Sequence, residues 1–191
     1  MFIKAQNSFQ NMTRYVAFLR GINVGGHNII KKETLQNAFT SLGFTDVSTY
    51  KQSGNVIFET DLKDPEAIRK TIQEKLNQLV GGEIAVFVRT VAQLGELVKS
   101  NPFKNQDTEG TSFLITFMSN KQTNFTLPTN IPKSTAEIIH LKAFEAYSVT
   151  RGHGDGGKPN PFIESTFKTQ ATTRNLNTIK EIFQAYNKGN K

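Results

Sequence analysis

The chain has no cysteine, which excludes a disulfide framework, a thiolate nucleophile and any zinc or iron–sulfur centre built on sulfur. No apolar run approaches the roughly 18 residues of a membrane span. The segment Met1 to Asn11 is too polar to hold the apolar region of a signal peptide. These absences point to a soluble, unexported, cytoplasmic protein with no membrane partner. Histidine is scarce, and none of His27, His140 and His153 has a partner at metal-ligand spacing. Neither a metal nor a cofactor is expected.

Signatures of common catalytic folds are missing as well. After Gly21 the next glycines are Gly25 and Gly26, which is not G-x-G-x-x-G, and no Gly-Lys-Ser/Thr follows to make a P-loop. Ser53 lacks the G-x-S-x-G elbow, so Ser53, His153 and Asp155 make no hydrolase triad by motif.

What is present is a basic chain of 191 residues, with 23 Lys and Arg against 16 Asp and Glu, a net charge of +7. That charge concentrates phosphates, nucleic acids or acidic partners nearby. The cations are dispersed, however, and no polybasic arm exists, so a solvated basic face is the simpler reading. An apolar fraction of 37% with 15 Phe supplies a core for one large domain or two small ones.

The pattern divides the chain into a flexible leader at 1–11, an α+β half at 12–100 and a second α+β half at 101–191 packed on the first. Arg14 to Leu19 reads as a strand, and Leu35, Ala38, Phe39 and Leu42 as a helix ended by Gly43. Val47 to Lys51 and Asn55 to Thr60 read as strands joined near Ser53-Gly54. Asp64-Pro65 opens a helix carrying Ile68, Ile72, Leu76 and Leu79, and Ile84 to Arg89 is a strand. The order βαββαβ is the ferredoxin-like unit; a further helix follows Thr90. In the second half Phe113 to Met118 is a strand, Leu127 to Pro132 a loop with a short helix, and Ile138 to Lys142 with Ala146 to Thr150 a hairpin. Asn160-Pro161 caps a short helix, and Leu176, Ile179, Ile182, Phe183 and Tyr186 mark a terminal one.

Three polar segments could carry function. The turn Arg20 to Asn28 offers Arg20, Asn23, Asn28 and His27 as donors for an anion, although its glycines also suit a plain left-handed turn. Gln52-Ser53-Gly54-Asn55 supplies an amide, a hydroxyl and N–H groups, yet these are ordinary hairpin residues. Thr172-Thr173-Arg174-Asn175 reads as the N-terminal capping segment of the last helix, where an Arg opposes the macrodipole unless it meets an anion.

In combination, Tyr15-Val16-Ala17-Phe18-Leu19-Arg20-Gly21-Ile22-Asn23-Val24-Gly25-Gly26, Thr49-Tyr50-Lys51-Gln52-Ser53-Gly54-Asn55-Val56 and Thr172-Thr173-Arg174-Asn175-Leu176-Asn177-Thr178 strongly resemble the domain of unknown function 1697 family. The resemblance runs from about Met12 to Tyr186. It implies a two-part α+β fold and brings no reaction, cofactor or partner. The recurring positions it implies are Arg20, Gly21, Asn23, Gly25, Gly26, Gln52, Ser53, Gly54, Asn55, Lys158, Arg174, Asn175 and Thr178. Gly157 stands where the family usually shows Ser, and Leu176 where it commonly shows Trp.

The reading preferred from these residues is a module in which the three motifs converge to bind a phosphate-containing ligand, a nucleotide or RNA. One alternative is an enzyme acting on a phosphorylated or acylated small molecule, with Arg20 and Lys158 clamping charge and Ser53 or His153 moving protons. Another is an oligomeric protein-interaction scaffold. Arg174 is expected to point towards the Arg20 turn, and Glu164, if it takes part, to pair with Lys158 or a backbone group.

Overall fold

The computed structural model describes residues 12–23, 28–51, 54–122, 125–152 and 159–187. The expected leader at 1–11 lies outside them, as do Gly25, Gly26, His27, Gln52, Ser53, His153, Asp155, Gly157 and Lys158. Helices mix with two antiparallel sheets, an α+β fold. Two compact units divide after Val91, earlier than the boundary at residue 100 read from the sequence.

In the first unit the elements are β1 (Thr13–Arg20), α1 (Lys32–Thr40), β2 (Thr45–Tyr50), β3 (Asn55–Thr60), α2 (Pro65–Val80) and β4 (Ala85–Thr90). Their order is the βαββαβ read from the periodicity. The sheet runs β2-β3-β1-β4, every neighbour antiparallel, with Phe18 opposite Asn55 on one side and Phe87 on the other. Because side chains alternate across a strand, Tyr15, Ala17 and Leu19 join Val56, Phe58, Val86 and Val88 in one core with Ile68, Ile72 and Leu76 of α2. Each Val, Leu, Ile or Phe side chain among them contributes roughly 1.5–3 kcal/mol on burial. The other parity carries Val16, Phe18, Ile57 and Phe87, also buried. The α2 boundaries follow from local chemistry: Asp64 accepts from the Glu66 N–H at 2.9 Å, Pro65 takes the first turn, and Gly81 closes the helix at φ 66°.

The second unit contains α3 (Val91–Ser100, of which Val91 ends the first unit), β5 (Thr111–Met118), β6 (Thr129–Asn130), β7 (Ala136–Lys142), β8 (Glu145–Arg151), α4 (Asn160–Phe167), β9 (Ala171–Asn175) and α5 (Leu176–Tyr186). Its sheet runs β6-β7-β8-β5-β9. The β7–β8 bend falls at Ala143-Phe144, where the sequence placed it.

Three local expectations are corrected. The stretch Leu127 to Pro132 holds no short helix; Thr129 and Asn130 pair with Ile138 and Glu137 as a two-residue strand. Pro159, not Asn160, occupies the N-cap of α4; the Asn160 amide oxygen instead accepts from the Thr173 hydroxyl, which also bonds Thr116. Finally, Thr172 to Asn175 is not a helix-capping segment as a whole. It is strand, because β5 offers it an edge to pair with, Thr173 opposite Thr116 and Arg174 opposite Ile115. Asn175 alone caps α5, accepting from the Asn177 N–H at 2.8 Å.

Candidate functional site

At the end of β1 the chain turns through Gly21 at φ 79° and Asn23 at φ 54°. Asn23 works in both directions on one backbone unit: its Oδ1 accepts from the Ile30 N–H at 2.9 Å and its Nδ2 donates to the Ile30 carbonyl at 3.2 Å. Asn28 donates from Nδ2 to the Gly21 carbonyl at 3.0 Å. Both amides, expected as ligand donors, thus have bonds within their own turn. An amide reproduces the donor and acceptor of a peptide group, so Asn23 pins the two limbs of the turn together as a strand partner would.

The second motif meets the first directly. The Leu19 N–H donates to the Gly54 carbonyl at 2.7 Å, and Asn55, almost fully buried, donates from Nδ2 to the Tyr50 carbonyl at 3.0 Å across the β2–β3 turn. Beside this junction lies a cleft of about 600 Å³. Its floor and wall include Ile22, Ile30 and Leu35; Asn23, Thr49, Gly54 and Asn55 add polar or backbone surface; Lys31, Lys32 and Lys51 stand along it. All three lysines are exposed. The cleft also receives the beginning of α1, where Lys31 makes no side-chain cap. The positive end of the helix dipole and three lysine residues border one concavity.

Arg20 is not among the residues lining this cleft. On β1 Arg20 alternates with Leu19, whose side chain joins the core with Leu35 of α1, and shares the side of Val16 and Phe18. It is half-buried, and loss of solvent pushes its pKa down. The residues that sequence reasoning passed over are Lys31, Lys32, Thr49 and Lys51. The lysine pair was visible as adjacent charge; its significance lies in directly preceding and opening a helix.

The third motif belongs to the second unit. Arg174 is held along its own strand, donating from Nη1 to Thr172 Oγ1 at 2.8 Å and to the Thr173 carbonyl at 2.9 Å. Burial pushes its pKa down to about 10. Arg174 thus lies half-buried within β9, not in the first turn of the last helix where the sequence reading put it. Glu164 does reach a backbone group, accepting from the Ala171 N–H at 2.9 Å. Among the described residues no helix is long and apolar enough to cross a membrane, and no group of three or more His, Asp or Glu is placed to hold a metal ion.

A solved structure described as that of the conserved bacterial protein SP0830 from Streptococcus pneumoniae shares the fold. It is 18% identical, with a TM-score of 0.61 over 91% of this chain and 98% of that one. A comparison with curated proteins finds no match. The family model described as protein of unknown function (DUF1697) matches residues 12–147, spanning the Arg20 turn, the Gly54 junction and every described residue that lines the cleft, and the chain belongs to that family.

Proposed function

We propose that this protein is a binding module for a phosphate-containing ligand, and that the ligand's phosphate sits in the first unit's cleft. The observation that carries the reading is the gathering of Lys31, Lys32 and Lys51 around the beginning of α1 in a concavity of about 600 Å³. That size lies within the roughly 300–1,000 Å³ typical of small-molecule sites. Phosphate is the anion such a constellation suits, since ammonium groups and helical N–H groups act on it together. Asn23 and Gly54 shape the cleft, and the lysines supply its charge.

A thermal-shift series with pyrophosphate, mononucleotides and short single-stranded RNA tests this, because a ligand selective for the native state stabilises it by about 2.7 kcal/mol at a hundred times its Kd. The expected result is stabilisation by at least one of them that weakens with added salt and disappears in a Lys31→Glu, Lys32→Glu variant. No shift with any of them, or an undiminished shift in the variant, rejects the reading.

A further inference from the structure

The same cleft has a second chemical character that the phosphate reading leaves unused. Its lining carries Ile22, Ile29, Ile30 and Leu35, four aliphatic side chains against three lysines. Three of the four are buried, but Ile29 is 71% exposed, a large apolar group held open to water at a polar-rimmed concavity. Among the described residues none that lines the cleft is aromatic. The nearby Tyr50 is not part of the lining, and the Lys51 ammonium lies 5.5 Å from the centre of its ring. Proteins that hold nucleobases generally stack them on aromatic rings or guanidinium planes. Among the described residues that line it, this cleft offers neither, Arg20 being outside the lining.

We propose that the ligand is an aliphatic chain ending in a phosphate monoester, the chain lying along Ile22, Ile29 and Leu35 and the phosphate meeting Lys31, Lys32 and Lys51. This rests on the phosphate reading and narrows it. The aliphatic wall supplies non-directional burial for methylenes, which need no hydrogen-bond partners. The lysines supply point charges that follow a mobile headgroup, where a bidentate arginine fork would fix one geometry. Ile29 gains in the complex what it lacks alone, cover from water.

The test is a titration of the full-length protein with pyrophosphate, adenosine monophosphate and the n-alkyl phosphates from ethyl to octyl, each below its micellar concentration. Burying a methylene is worth about 0.8 kcal/mol, so affinity should tighten about fourfold per added methylene until the wall is filled. Ile29→Ser, at an exposed position that leaves the fold intact, should flatten that dependence while pyrophosphate affinity stays the same. Affinity independent of chain length, adenosine monophosphate binding more tightly than octyl phosphate, or an unaltered chain-length dependence in Ile29→Ser each overturns the aliphatic assignment while pyrophosphate binding preserves the phosphate site. Failure of every compound, pyrophosphate included, overturns both.

Discussion

The Gly54 carbonyl accepts the Leu19 N–H at 2.7 Å, and the α-carbon behind that carbonyl is closely crowded. A Cβ at Gly54 would stand 3.1 Å from the Leu19 oxygen and 3.1 Å from both Cγ1 and Cδ1 of Ile22. With φ at 71° the residue is also in the left-handed region. Glycine is therefore required twice, by conformation and by close approach, where the end of β1 meets the start of β3. The Ile22 side chain pressed by Gly54 is the one that lines the cleft, so the two motifs form one piece of architecture.

Gly54→Ala should destabilise the protein by about 1–3 kcal/mol, combining left-handed strain with displacement of Ile22. Gly21 provides the internal control. Its φ is 79°, but nothing lies within 4 Å of an added Cβ, so Gly21→Ala carries the strain alone, about 1 kcal/mol. Urea unfolding of both variants checks the order; equal losses would mean that the Ile22 contact costs nothing.

Asn23 should behave as a positioning residue for the cleft. Asn23→Ala removes both bonds to Ile30, at a net cost of about 0.5–1.5 kcal/mol for each. Asn23→Asp keeps the acceptor for the Ile30 N–H but turns a second oxygen towards the Ile30 carbonyl, an acceptor facing an acceptor, so it should cost at least as much as Asn23→Ala. Denaturant midpoints measure this. Weaker pyrophosphate binding in step with the lost stability would tie the turn's geometry to the lysines that follow it.

Within the second unit, Gly95 faces Phe183 so closely that an added Cβ would fall 2.5 Å from Cε2 of the ring. Gly95→Ala should thus cost about 1–3 kcal/mol through overpacking, against a helix-propensity gain of about 1 kcal/mol. In a Phe183→Leu background the clash is relieved and the propensity gain remains. The same substitution should then become neutral or stabilising, a sign change that a double-mutant cycle reads directly. An identical cost in both backgrounds would rule out the ring as the cause.

The elements legible in the sequence are those with a strong apolar period and explicit ends. β3 was bounded at Asn55 and Thr60, and α2 was opened by Asp64-Pro65. β9 was not legible, because Thr172 to Asn175 has neither alternation nor an apolar run; it becomes a strand only when β5 presents an unpaired edge, a tertiary effect. β6 is two residues long and carries no period at all. At the cleft, the turns were readable from glycine and asparagine, but the amides of Asn23 and Asn28 bond within the turn, and the cationic residues along the lining are Lys31, Lys32 and Lys51. Arg20 misled because a charged residue beside a glycine turn says nothing about strand parity, which sends alternate side chains to opposite faces.

Arg174 and Glu164 take opposite parts around β9. Glu164 accepts the N–H of Ala171, a fully buried residue, so Glu164→Ala leaves that donor without this acceptor and should cost about 1–3 kcal/mol. Arg174 gives up solvation for bonds that include those to Thr172 Oγ1 and the Thr173 carbonyl, and burial pushes its pKa down to about 10. A base whose pKa is lower in the folded state binds fewer protons there than in the unfolded chain, so its contribution to stability rises with pH between about 10 and the ordinary arginine value. Below that window both states are charged, and the desolvation penalty is constant. Arg174→Met keeps an apolar stem and removes the penalty, offsetting hydrogen bonds worth about 1 kcal/mol each; at neutral pH it should be near neutral or stabilising, unlike Glu164→Ala. Unfolding of wild type and Arg174→Met at pH 7, 9 and 11 should show a difference that is flat from pH 7 to 9 and shifts in favour of the wild type by pH 11. A loss of several kcal/mol in Arg174→Met at pH 7 would instead make the guanidinium a structural brace whose bonds outweigh its burial.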